Sequence, residues 1–154
     1  ATADTSRGGN VIPSTLPTAH HARARCHAVG MISADFARRF VDQWVADWNA
    51  HDLEALLAHY TDGVVFSSPL AERFLPGSEG VAHGKDALRV YWTAGLDALP
   101  DLRFEVLEHY VGASTIVIRY RNQGGGVVCE VLEFDGELVS RGHGTYLASG
   151  APAK

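Results

Sequence analysis

Cysteine is nearly absent from this chain: Cys26 and Cys129 are the only two in 154 residues. Two thiols so far apart in sequence make no disulfide framework, so they read as reduced thiols of a cytoplasmic protein. Long apolar runs are also lacking. None approaches the roughly 18 residues that a membrane-spanning helix needs, so no transmembrane span is expected. Cations are scarce, with 13 Lys and Arg against 18 Asp and Glu and a net charge of −5. The balance is uneven, because residues 1–30 hold Arg7, Arg23 and Arg25 against Asp4 alone, a net of +2, and the remainder carries −7. A domain this acidic, with no Lys/Arg stripe, is a poor partner for nucleic acid. No secretory leader is expected either, since the first thirty residues lack an apolar stretch and are broken by Pro13 and Pro17.

What is present suits one globular domain: 46% hydrophobic and 20% charged residues in a chain of single-domain length. Residues 1–30, rich in Ala, Thr, Ser, Gly, Pro and His without periodicity, read as a disordered N-terminal extension. Met31 is the sole methionine, and the amphipathic pattern starts just after it, so Met31 reads as the natural start. The domain is expected over 31–148, with 149–154 as a flexible tail.

From Ser33 the period is helical. Phe36, Phe40, Trp44 and Trp48 recur every four residues, while Asp35, Arg38, Arg39, Asp42, Gln43 and Asp47 take the other face. Ser33 is placed to cap this helix, and Asp52 to cap a second carrying Leu53, Leu56, Leu57 and Tyr60. A short strand, Val64 to Ser68, is stopped by Pro69. Leu70 to Gly84 has no period and reads as a long loop, a lid in functional terms. A third helix follows from Lys85 to about Leu99, and then four strands: Leu102–Val111, Ser114–Arg121, Val127–Phe134 and Glu137–Leu147. Asp135-Gly136 between the last two predicts a tight hairpin.

This order, with Trp48-Asn49-Ala50-His51-Asp52-Leu53, Phe66-Ser67-Ser68-Pro69, Gly84-Lys85-Asp86-Ala87-Leu88, Pro100-Asp101-Leu102 and Glu133-Phe134-Asp135-Gly136, resembles the SnoaL-like branch of the nuclear transport factor 2-like superfamily. The resemblance runs from about Ser33 to Leu147. It implies a cone-shaped α+β fold, in which a strongly curved, mostly antiparallel sheet wraps three helices and encloses an apolar pocket. It also implies a convex sheet face that commonly forms a dimer. The residues agree: Val127, Cys129 and Val131 alternate with Val128, Leu132 and Phe134, so both faces of that strand need cover. A homodimer is expected on that ground.

Members of that superfamily include polyketide cyclases, ketosteroid isomerases, dehydratases, epoxide hydrolases and non-enzymatic binders, so the fold does not choose the chemistry. The ketosteroid isomerase site uses an aspartate base with a tyrosine and a protonated aspartic acid as oxyanion hole. By the resemblance those positions fall at Ser68, Trp44 and Glu130. Only Glu130 keeps a carboxyl group, and a serine hydroxyl without an adjacent base does not abstract a proton from carbon. The Asp–Arg–Asp set of the epoxide hydrolases is not found.

Glu130 is therefore the one candidate catalytic residue. It shares a face with Val128, Leu132 and Phe134, where burial would raise its pKa into a usable range. A two-residue Asp135-Gly136 turn would pair Glu130 with Arg141 and Val128 with His143, making an ion pair or a polar ligand anchor. A one-residue bulge would instead pair it with Gly142. The aromatics Trp44, Trp48, Tyr60, Phe66, Tyr91, Trp92 and Tyr146 sit on elements that would face the cone, and about half are expected to touch the pocket. With Ser68, Arg141 and His143 they make up the ligand-binding set. The partner is a small apolar molecule.

No metal and no cofactor are expected. His20, His21, Cys26 and His27 cluster only on the extension, His51 and His59 read as surface groups, and His83 lies in the lid. His109 and His143 are strand residues. Ser67 and Ser68 sit in no nucleophile-elbow context. Two readings stay open: a SnoaL-like isomerase, cyclase or dehydratase, or a non-catalytic binding or dimerisation module.

Overall fold

The computed structural model describes residues 30–148. The expected extension with its His/Cys cluster and the expected C-terminal tail fall outside the described residues.

Helix α1 (Ala34–Ala50) starts where Ser33 Oγ accepts the Phe36 N–H at 3.1 Å, and ends at His51, whose φ of 55° turns the chain out of the helix. Its four-residue spacing buries Phe40, Trp44 and Trp48 along one stripe. Asp52 caps α2 (Leu53–Ala58) through the Ala55 N–H at 3.0 Å. Strand β1 (Tyr60–Ser67) follows, interrupted by a register shift between Tyr60 and Val65.

The stretch read as a loop has structure. Ala71–Phe74 makes a single helical turn, α3, and Val81–His83 forms a strand, β2, antiparallel to β1. Elements this short leave no periodic trace in sequence. The helices thus number four among the described residues, the last being α4 (Gly84–Ala98), which buries Leu88, Tyr91 and Trp92.

Strands β3 (Glu105–Val111), β4 (Thr115–Arg121), β5 (Val127–Asp135) and β6 (Leu138–Tyr146) form the expected meander. The six strands make one curved sheet in the order β2-β1-β6-β5-β4-β3, with β1 and β6 parallel and every other pair antiparallel. The α+β cone is the fold observed.

The last hairpin follows neither expected register. Leu138 pairs with Asp135, so the turn is Gly136-Glu137, and a bulge between Glu133 and Phe134 shifts the ladder again. Glu130 lies opposite Gly144, and Arg141 lies opposite Glu133. Each one-residue shift moves a side chain to the other face. Arg141 is consequently exposed on the outer face, away from Glu130.

The core lies between the helices and the inner face of the sheet. Ile116, Ile118 and Tyr120 of β4 and Val128, Leu132 and Phe134 of β5 meet Trp44, Trp48 and Trp92 there. Phe40 packs edge-on against Phe134, with ring centroids 4.9 Å apart. Glycine is required at Gly142, where a Cβ would come within 2.5 Å of the Phe66 ring. Among the described residues no helix is long and apolar enough to cross a membrane.

Candidate functional site

Three elements converge at the mouth of the cone. Strand β1 ends at a serine pair, and Pro69 prevents its continuation. Ser67 faces outward, and Ser68, 4% exposed, faces inward. The Ser68 hydroxyl oxygen accepts from the Leu70 N–H at 3.1 Å and from the Tyr91 hydroxyl at 3.2 Å, with the Tyr146 hydroxyl at 3.5 Å. Tyr91 comes from the buried face of α4 and Tyr146 from the end of β6. The result is a cluster of three hydroxyls. Burial raises the pKa of both phenols, so they remain protonated donors at neutral pH.

Glu130 is the second polar feature. The alternation of β5 turns it inward among Val128, Leu132 and Phe134, and it is 5% exposed. Burial pushes its carboxyl up from 4.5 to about 7, against a smaller opposing pull from the Tyr120 hydroxyl, which donates to Oε2 at 3.4 Å. Near neutral pH both protonation states are populated, as a group that takes and returns protons requires.

These groups share one cavity of about 100 Å³. Trp48, Phe66, Tyr91 and Trp92 line it, as do Ser68, Glu130 and Tyr146. Its walls also carry Phe74, Phe104 and Val128, with Asn122 and Gln123 among the polar contributors. Of the seven aromatics singled out from sequence, five reach the cavity. Trp44 and Tyr60 do not: they are fully buried in the core, where Trp44 Nε1 donates to the Tyr60 hydroxyl at 3.2 Å. Trp44, covered by Tyr60 and Tyr120, is sealed in the core, whereas Trp48, one turn further on, reaches the cavity.

Arg141 and His143 do not reach this cavity either. Both lie on the outer face, where His143 Nδ1 hydrogen-bonds the Ser67 hydroxyl at 2.7 Å and Nε2 stands 3.7 Å from Glu133. The order serine, histidine, carboxylate is that of a hydrolase relay, yet Ser67 is still paired to β2 and β6 at the end of β1, outside the sharp strand-to-helix turn that exposes a nucleophile. His59 and His51 are not free surface groups: His59 Nε2 donates to the buried Asp47 at 2.8 Å, and His51 Nε2 donates to the Leu102 carbonyl at 2.9 Å. Asp47 also accepts from Gln43 at 2.7 Å, an inward role that its place on the polar face of α1 concealed. Among the described residues no three His, Cys, Asp or Glu come together as a metal site.

Sequence reasoning missed Tyr120. Its signal was the hairpin at Gly124: pairing β4 with β5 about that residue puts Tyr120 opposite Val128, diagonal to Glu130 on the inner face.

The family description "SnoaL-like domain" matches residues 41–146. A SnoaL-like protein of unknown function from Burkholderia thailandensis is 34% identical, with a TM-score of 0.72 over 77% of this chain and 99% of that one. A candidate polyketide cyclase from Sinorhizobium meliloti shares 15% identity and a TM-score of 0.58 over 70% of this chain and 94% of that one. A candidate ketosteroid isomerase from Kribbella flavida shares 16% identity, also at 0.58, over 78% and 84%. No curated protein matches the chain.

Proposed function

Since the chain belongs to the SnoaL-like domain family of the nuclear transport factor 2-like superfamily, we propose that its cone binds a small, largely apolar molecule and that Glu130 moves protons on it. The observation that carries this reading is the buried Glu130 carboxyl at the cavity wall, raised to about 7. Ionised, it takes a proton from a carbon or oxygen acid held against it; protonated, it returns one. The hydroxyls of Ser68, Tyr91 and Tyr146 supply donors for an oxygen that gains charge in the same step. Isomerisation proceeds by such proton transfers; in cyclisation they generate the carbanion that closes the ring and protonate the resulting oxygen, and in dehydration they remove the proton and protonate the departing hydroxyl, which leaves as water. The two named neighbours, a candidate cyclase and a candidate isomerase, are in keeping with that set.

A non-catalytic ligand-binding or dimerisation module is the second reading. The volume favours its dimerisation form: about 100 Å³ is small beside the ~300–1,000 Å³ usual for ligand pockets. Under either reading the protein pairs with a second copy through the outer face of the sheet, where Val127, Cys129 and Val131 are only half-buried.

Native mass spectrometry of freshly purified protein tests the binding reading, with a co-purified small apolar molecule expected. A bare chain, with no mass shift from any apolar oxygenated compound offered, would count against it. Loss of turnover in Glu130→Gln with retained binding would separate the enzyme from the module.

A further inference from the structure

Gly144 occupies the one place where an ordinary side chain would separate the two polar features of the cavity. A Cβ there would lie 3.5 Å from Ser68 Oγ and 3.6 Å from Glu130 Oε2. Those are ordinary contact distances, and the residue does not adopt a left-handed backbone conformation, so the fold itself makes no demand for glycine here. What the glycine provides is a notch. On one side stands the Ser68–Tyr91–Tyr146 hydroxyl cluster, rich in donors; on the other stands Glu130 backed by Tyr120, an acceptor when ionised.

Charge narrows the occupant further. Among the described residues lining the cavity none is Lys, Arg or His, and the single carboxyl group is Glu130. An anion entering would be desolvated beside a second acid with no cation to offset it. The walls formed by Trp48, Phe66, Trp92 and Phe104 are flat and apolar, and at about 100 Å³ the cavity admits no more than one ring.

We propose that the notch over Gly144 selects an uncharged aromatic hydroxy-ketone, its carbonyl oxygen accepting from the hydroxyl cluster and its hydroxyl donating to Glu130. Gly144 is then the specificity-determining residue of the cavity. This inference rests on the reading that the cone binds a small apolar molecule, and names the class.

The test is a ligand-observed NMR titration of the full chain with the three hydroxyacetophenone isomers, acetophenone and 3-hydroxybenzoate. At least one hydroxyacetophenone is expected to bind about ten-fold more tightly than acetophenone or the benzoate, a difference of about 1.4 kcal/mol. Gly144→Ala should weaken that isomer about ten-fold at an unchanged melting temperature. Glu130→Leu, which leaves the glycine itself unchanged, should bring the isomer down to the level of acetophenone. Equal binding of the benzoate, or an unaltered affinity in Gly144→Ala, overturns the inference while leaving acetophenone binding, and with it the broader reading, in place. If none of the five compounds binds, acetophenone included, both fall together.

Discussion

Tyr120 and Glu130 grip one another diagonally across β4 and β5, the phenol donating to the carboxyl at 3.4 Å with both side chains buried. The hydrogen bond favours the ionised acid and burial disfavours it; burial prevails, so the carboxyl titrates at about 7 instead of 4.5. That competition has consequences for the whole molecule.

Stability should fall with rising pH across this window. The folded protein holds the Glu130 proton up to about 7, whereas the unfolded chain releases it near 4.5. Between those values the folded state binds more protons, so the contribution is fully present below 4.5 and lost as pH rises through 7. The size is about 3 kcal/mol. Denaturant unfolding of the wild type and Glu130→Gln at pH 5 and pH 8 measures it: the variant should show the smaller loss between the two, and parallel profiles would contradict this account.

Removing the phenol hydroxyl isolates its share. In Tyr120→Phe the Glu130 midpoint should move above its wild-type value, because only the opposing influence has been taken away. Carboxyl-carbon NMR reads the midpoint directly. A midpoint that stays put would mean that the hydroxyl does not hold the acid.

Asp47 ties α1 to the end of α2, accepting from His59 at 2.8 Å and Gln43 at 2.7 Å while 7% exposed. Asp47→Ala strands both donors, at a cost of roughly 1–3 kcal/mol. The cavity lies elsewhere, so ligand affinity should survive at temperatures where the variant is folded. A loss of affinity larger than the loss of stability would show that the helix pair shapes the site.

Two glycines on β6 should behave differently. Gly142→Ala drives a methyl to within 2.5 Å of the Phe66 ring and should cost about 1–3 kcal/mol, whereas Gly144→Ala meets ordinary contacts and should be close to neutral for stability. Thermal melts of the two variants side by side provide the comparison. Equal destabilisation would place the crowding somewhere other than Phe66.

The outer face should carry the contact between copies. Light scattering at micromolar concentration should give twice the chain's 16.6 kDa, and Val131→Lys, at a half-buried position beside His143, should return a folded monomer. A wild-type monomer would remove the homodimer.

The long elements were legible because their periods are strong. The Phe36–Trp48 stripe and the Leu88–Trp92 face mark α1 and α4, and the alternation of Val127 to Phe134 put Glu130 inward with no knowledge of its partners. What lay across from Glu130 was not legible. Register in β6 depends on a turn at Gly136-Glu137 and a bulge at Glu133/Phe134, both decided by how the curved sheet packs and not by local residue preference. That is why Arg141, a natural partner on paper, ended on the opposite face. Asp47 and His59 were hidden for a related reason: a polar pair that satisfies itself in the interior looks in sequence like two residues meant for water.

Strand β6 is the last of the described strands in the chain yet lies in the middle of the sheet, joined to β1 on one side and β5 on the other. During synthesis β1 is made early and waits, its parallel partner some 70 residues from emerging. Until Leu138–Tyr146 leaves the ribosome, β1 pairs with nothing but the three-residue β2, and the meander has an unguarded border at β5. Completion of this fold therefore waits for Leu138–Tyr146, and nascent chains halted before Leu138 are the species that chaperones should recognise.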